Sequence, residues 1–190
     1  MLLAEPLLER HTSAATAGLV DHLVAVYAKV YDSPPYQGDP FFSVGSFRAR
    51  LVAALETPGF ECVTASVGGT LVGLVHGATL PADRPWWESL GDRRPEDVHA
   101  AAQAGGVGWL RELMVLPEHA GRGVGRRLHD EWINGRAQRW TTLTCIPSNE
   151  PAHGAYLRWG YEIIGQIKHA PESPVYNAMI LSSSTVRQAG

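Results

Sequence analysis

Alternating helical and strand-like blocks, with one clear hairpin among them, predict a mixed α/β layer fold. Two observations carry this. Gly68-Gly69-Thr70 separates two apolar runs, residues 60–67 and 71–80, which is a strong hairpin signal. Further on, a strand-like run ends at Pro117, and Gly121, Gly123 and Gly125 lead at once into a helical pattern with Val124, Leu128 and Trp132 on one face. The 190 residues suit one domain, residues 1–190, with 182–190 as a loose tail.

The elements follow in order. Residues 7–10 read as a short strand, and Thr12 or Ser13 caps a helix whose stripe is Leu19, His22, Leu23, Val26, Tyr27 and Val30. Residues 32–40 hold three prolines and a glycine and form a loop. A second helix holds Phe47, Leu51 and Leu55 and stops near Pro58-Gly59. After the hairpin comes a long insertion, residues 81–106, containing Trp86, Trp87 and a short helix over 95–103. Residues 107–116 are strand and the next helix runs to about residue 139. Residues 141–146 are strand, 149–159 helix, 161–168 strand and 174–181 a last strand.

Composition narrows the function. A net charge of −3 argues against a nucleic-acid binder, which presents a basic face. Two cysteines make no disulfide framework, no basic region precedes an apolar core at the N-terminus, and no apolar run approaches a membrane span, so a cytoplasmic protein without a membrane partner is expected. Eight histidines lack a spaced set of carboxylate or cysteine partners, so no metal is expected.

The glycine-rich segment is the most informative. Glycine lets backbone approach a ligand and adopts positive φ without penalty. The first N–H groups of a helix lack intrahelical partners, and the helix dipole favours an anion there. Residues 113–128 therefore read as a pyrophosphate-binding turn. A Walker A loop is excluded, because Gly125 is followed by Arg126 and Arg127 rather than Lys and Ser or Thr. A dinucleotide fingerprint is excluded by Arg126, which stands where a glycine or alanine is needed.

This segment resembles motif A of the GCN5-related N-acetyltransferase (GNAT) superfamily, Gln/Arg-x-x-Gly-x-Gly/Ala after a Val-x-Pro element. Val115-Leu116-Pro117, Gly123 and Gly125 match, and Ala120 replaces the Gln or Arg. Residues 149–162 are similar to motif B, with Asn149 opening a short helix, Tyr156 late in it and Gly160-Tyr161 starting the next strand. The resemblance implies a mostly antiparallel sheet with helices on both faces and a splayed central parallel strand pair that admits pantetheine. It implies acetyl-coenzyme A as acyl donor and a small-molecule or peptide amine as acceptor, by direct attack in a ternary complex. A homodimer is open, as are a longer acyl donor and a coenzyme A-binding module without turnover.

The resemblance also implies the site. Backbone at Leu113, Met114 and Val115 would bond pantetheine, and Ala120, Gly121, Arg122, Gly123, Val124, Gly125 and Arg126 would cradle pyrophosphate, with Arg122, Arg126 and Arg127 screening its charge. Asn149 caps its helix and touches the cofactor. Tyr156 would protonate the coenzyme A sulfur. Glu112, on the strand before the cradle, is the base, a solvated strand residue or an ion-pair partner of Arg111. His76 is either a second base in the acceptor pocket or a core residue. Tyr31, Tyr36, Phe41, Phe42, Trp86 and Trp87 either wall the acceptor pocket or pin long loops, and Asp32, Asp39, Asp83 and Glu88 offer charge for an amine cation. Cys145 reads as a buried thiol rather than an acyl carrier, and His119 and His129 as surface residues.

Overall fold

The computed structural model describes residues 5–34 and 36–183. The chain runs β1 (Leu7–His11), α1 (Ser13–Ala17), α2 (Val20–Tyr31), α3 (Val44–Leu55), β2 (Glu61–Val67), β3 (Thr70–Thr79), α4 (Pro85–Glu88), α5 (Glu96–Gln103), β4 (Val107–Val115), α6 (Val124–Asn134), β5 (Trp140–Cys145), α7 (Glu150–Arg158), β6 (Glu162–Ile167) and β7 (Tyr176–Ser182). The strands form one sheet in the order β1-β2-β3-β4-β5-β7-β6. The β4–β5 pair is parallel, and β1–β2, β2–β3, β5–β7 and β6–β7 are antiparallel. This is the mixed α/β fold that the sequence pattern predicts, with the mostly antiparallel sheet and one parallel pair that the family resemblance implies.

Two compact units are distinguishable. The first comprises Met1–Ala78 and Arg111–Gly135. Its hairpin turns on Gly68 and Gly69, at φ 57° and 80°, a pair of left-handed residues whose twist suits a two-residue hairpin. The single helix expected after Thr12 is broken. Thr12 caps α1 through its side chain, Leu19 N bonds Thr16 O to close it, and α2 restarts when Leu23 N reaches Leu19 O. Gly18 at the break has poor helix propensity, which lets the chain re-aim there. Helix α2 then buries Leu23, Val24, Val26 and Tyr27, and α3 buries Phe47, Leu51 and Ala54. Tyr27 is stacked between Tyr31 and Phe47, with ring centroids 3.9 and 4.0 Å away. The predicted face of α6 is buried as expected, and Trp132 donates its indole N–H to Glu61 O at 3.2 Å. Each such fully buried large side chain contributes about 1.5–3 kcal/mol. β3 and β4 meet closely at Gly73, where a Cβ would lie 2.8 Å from Met114 O.

The second unit comprises Thr79–Leu110 and Arg136–Gly190. Here β4 starts beside β5, Val107 opposite Trp140 and Trp109 opposite Thr142, and β7 lies between β5 and β6. The insertion is structured throughout. Its predicted helix is α5, which buries Val98 and Ala102, while Trp86, Trp87 and Leu90 are also buried. Trp86 packs within 5.8 Å of Trp87, Trp109 and His169. Ser182, expected as the first tail residue, instead closes β7; residues 184–190 lie outside the described residues.

Candidate active site

The turn after β4 is built from the first unit alone. Leu116 N bonds Val72 O at 2.8 Å, a 3-10 turn occupies Pro117–His119, and Ala120 N closes it on Pro117 O. Gly121 and Gly123 then take φ 71° and 78°. Gly123 is the left-handed entry to α6, and no side chain caps that helix's first turn. A Cβ at Gly121 or Gly123 would meet nothing within 4 Å, so glycine is required by conformation and the space beside it is open. Donors without a side-chain cap at the positive end of an eleven-residue helix suit an anion. Of the three arginines, Arg126 is held by Asp130 at 2.6 Å and Arg127 faces Glu5 at 3.6 Å, whereas Arg122 is exposed and has no side-chain partner among the described residues.

Glu112 is the next charged group. It lies on β4 with its side chain 16% exposed, accepts the Tyr31 hydroxyl on Oε2 at 3.2 Å and faces Arg50 through Oε1 at 3.5 Å. Burial lifts its carboxyl above the ordinary carboxylate value, although Arg50 and the Tyr31 hydrogen bond pull the other way. Burial also pushes the Tyr31 phenol well above its usual value, with the Glu112 charge adding to it. Beside this pair a cavity of about 460 Å³ is lined by Tyr27, Tyr31, Tyr36 and Phe42, with Asp32 and Asp39 among its polar walls. Tyr36 lies 4.3 Å from Tyr31, centroid to centroid, and Phe41 stands edge-on to Phe42 under the Arg50 guanidinium.

The family model for GNAT acetyltransferases matches residues 23–161, well over half of the chain. The chain belongs to the GNAT acetyltransferase family. Solved structures share the fold. An acetyltransferase from Thermus thermophilus is 17% identical with a TM-score of 0.62, over 96% of this chain and 99% of that one. Aminoglycoside acetyltransferase AAC(6')-Ib, in complex with ribostamycin and coenzyme A, is 15% identical with a TM-score of 0.60, over 97% of each chain. The PaiA N-acetyltransferase from Thermoplasma acidophilum, in complex with coenzyme A, is 12% identical with a TM-score of 0.57, over 93% and 99%. No curated protein matches by sequence.

Within this GNAT chain the expected residues sort clearly. Tyr31 and Tyr36 meet at the cavity, and Tyr31 reaches Glu112. Phe41 flanks Phe42 rather than lining that cavity. Trp86 and Trp87 are 5% and 0% exposed, so they pin the insertion into its own unit and form no open wall. His76 is 2% exposed with neither ring nitrogen hydrogen-bonded, and it is absent from the cavity lining. Burial, reinforced by Arg111 and Arg50, lowers its pKa to about 3, which suits the core reading and not a base. His129, expected at the surface, is fully buried with Nδ1 2.9 Å from Asp130, because it falls on the inner side of α6 beside Leu128. Burial pushes the Cys145 thiol up to about 12, consistent with a structural role. Tyr156 is 7% exposed, edge-on to Trp159 and Tyr161, on a helix that Asn149 caps by accepting Ala152 N.

Sequence reading missed Arg50 and offered an ion pair with Arg111 only as one alternative for Glu112. Successive strand residues point to opposite faces, so an adjacent arginine is poorly placed for that pairing. The available signal was helical: Arg50 follows the buried Phe47 by three positions, which sets a cation on an inward face. Among the described residues no group of three or more His, Cys, Asp or Glu is placed to hold a metal, and no helix is long and apolar enough to cross a membrane.

Proposed function

We propose that this chain is an acyl-coenzyme A-dependent N-acyltransferase, one domain over residues 1–190, working in the cytoplasm. It takes acetyl-coenzyme A as donor and a primary amine on a small molecule or peptide as acceptor. The observation that carries the reading is the left-handed Gly123 start of α6, open and without a side-chain cap, directly after the strand that bears Glu112. Backbone N–H groups of residues 121–126 hold the pyrophosphate, while Ala120, whose own N–H goes to Pro117 O, closes the turn beneath them. Arg122 adds the charge that Arg126 and Arg127 commit to Asp130 and Glu5, and Leu113, Met114 and Val115 bond pantetheine where the parallel strands splay. Asn149 caps α7 and contacts the cofactor.

Amines are charged near neutral pH, so a base must free the lone pair. Glu112, made more basic by burial, takes that proton. The amine attacks the thioester carbonyl, the C–S bond breaks and Tyr156 protonates the thiolate. Transfer is direct, since Cys145 is too weakly acidic to carry the acyl group. The complexes of AAC(6')-Ib with ribostamycin and coenzyme A, and of PaiA with coenzyme A, support a coenzyme A donor and a small-molecule acceptor.

Ala120 supports a second reading, a coenzyme A-binding module without turnover, because it offers no side chain where the family motif carries Gln or Arg. Thiol release measured with a panel of amines and several acyl-coenzyme A donors decides. Amine-dependent release, fastest with the acetyl donor, is expected. Thermal stabilisation by acetyl-coenzyme A with no release from any amine selects the module instead.

A further inference from the structure

Glu112 does not line the aromatic cavity, yet it is the base on which the proposed reaction depends. A proton leaving an amine held in that cavity therefore needs a carrier. Tyr31, the last residue of α2, both lines the cavity and donates its hydroxyl to Glu112 Oε2 at 3.2 Å. The Tyr27 hydroxyl gives its proton to Phe42 O at 3.0 Å and accepts from Arg50, so it has no proton to offer Glu112. The other carboxylate oxygen of Glu112 faces Arg50 at 3.5 Å, which leaves the Tyr31 side as the route in from the cavity. The Tyr31 ring is fixed by its 3.9 Å stack on Tyr27 and by Tyr36 at 4.3 Å, so its hydroxyl is already aimed.

We infer that Tyr31 relays the acceptor's proton to Glu112. The step balances without a free phenolate. As the substrate ammonium gives a proton to Tyr31 Oη, the hydroxyl's own proton passes to Glu112 Oε2. The ammonium becomes an amine, the carboxylate becomes a carboxylic acid, and Tyr31 ends as the neutral phenol it began as. The C–N bond then forms, the C–S bond breaks, Tyr156 gives its proton to the departing thiolate, and the second proton shed by nitrogen restores the Tyr156 phenol. A phenol held well above its usual pKa by burial and by the Glu112 charge suits a hydroxyl that passes protons without losing one outright. The inference rests on the reading of Glu112 as base.

Tyr31→Phe removes the hydroxyl and keeps the stacked ring. Steady-state rates of the full chain, at saturating acetyl-coenzyme A and with an amine the wild type acetylates, are followed from about pH 6 to about pH 10. The relay requires kcat to fall by about tenfold or more near neutrality with KM within about twofold. The deficit shrinks at high pH, where the amine is already neutral. Glu112→Gln shows the same recovery, and the double variant is no slower than Glu112→Gln alone. A wild-type profile in Tyr31→Phe, a deficit equal at every pH, or losses that multiply in the double variant overturns the relay. Proton inventory of the wild type in mixed light and heavy water needs no variant: a curved plot of kcat is expected from two protons in flight, and a straight line refutes it. A wild type that releases thiol with none of the amines overturns the acyltransferase reading itself, a result distinct from failure of the relay alone.

Discussion

His76 shows how one side chain couples pH to stability. It is buried on β3 without a hydrogen-bond partner, with a pKa near 3 in the folded chain against an ordinary value of 6.5. The depressed value means that the unfolded state binds the proton first. The neutral ring's contribution is fully present above about pH 6.5 and is lost as pH falls towards about 3. Urea unfolding should thus show stability falling with acidification, and His76→Leu should reduce that slope by about 1 kcal/mol per pH unit. An unchanged slope in the variant refutes the buried, neutral assignment. Tyr156 is tested by turnover. Tyr156→Phe keeps the packing on Trp159 and Tyr161 and should lower kcat by roughly a hundredfold with little change in KM. Unchanged kcat rejects it as the acid. At this scale Glu112 was legible, because its place on the strand before the glycines is visible in the chain. Its partners Arg50 and Tyr31 were not, because they arrive from helices far back in the sequence, which periodicity cannot bring together.

Elements were more legible than contacts. The Gly-Gly hairpin, the α6 stripe, the α5 helix and the Asn149 cap follow from local rules of turn chemistry and capping, and local rules are what a sequence displays directly. The break between α1 and α2 was not anticipated, since the cap at Thr12 or Ser13 was joined to the stripe that begins at Leu19, whereas the backbone ends one helix at Gly18 and starts another. The entry to α6 carries the strongest prediction. At about a hundredfold excess over its Kd, acetyl-coenzyme A should stabilise the wild type by about 2.7 kcal/mol, a rise in Tm of roughly 5–10 °C for a chain of this size. Gly123→Glu places a charged side chain at positive φ in the open space of the turn and should abolish that rise. Comparing shifts within each variant separates ligand loss from the strain of the substitution. An undiminished shift in Gly123→Glu refutes the cradle.

For the whole molecule, the class of fold was readable from the alternation of helices and strands, and the neighbouring β2–β3 pair from its two-residue turn. The position of β7 between β5 and β6 was not, because a strand's partner is chosen by which faces are left to cover and not by adjacency along the chain. The aromatic residues show the same limit. A tryptophan in a long insertion looks alike whether it is destined for a wall or for a core, and only the packing of Trp87 at 0% exposure decides.

The two sulfhydryls have a practical consequence. Cys62 and Cys145 are both sheltered and both held near pKa 12, so neither offers a thiolate at ordinary pH. A colorimetric aromatic disulfide added to the folded chain should stay colourless until coenzyme A is liberated, which gives a background-free count of turnovers. In denaturant the same reagent should register two equivalents per chain, making the pair a built-in reporter of global opening.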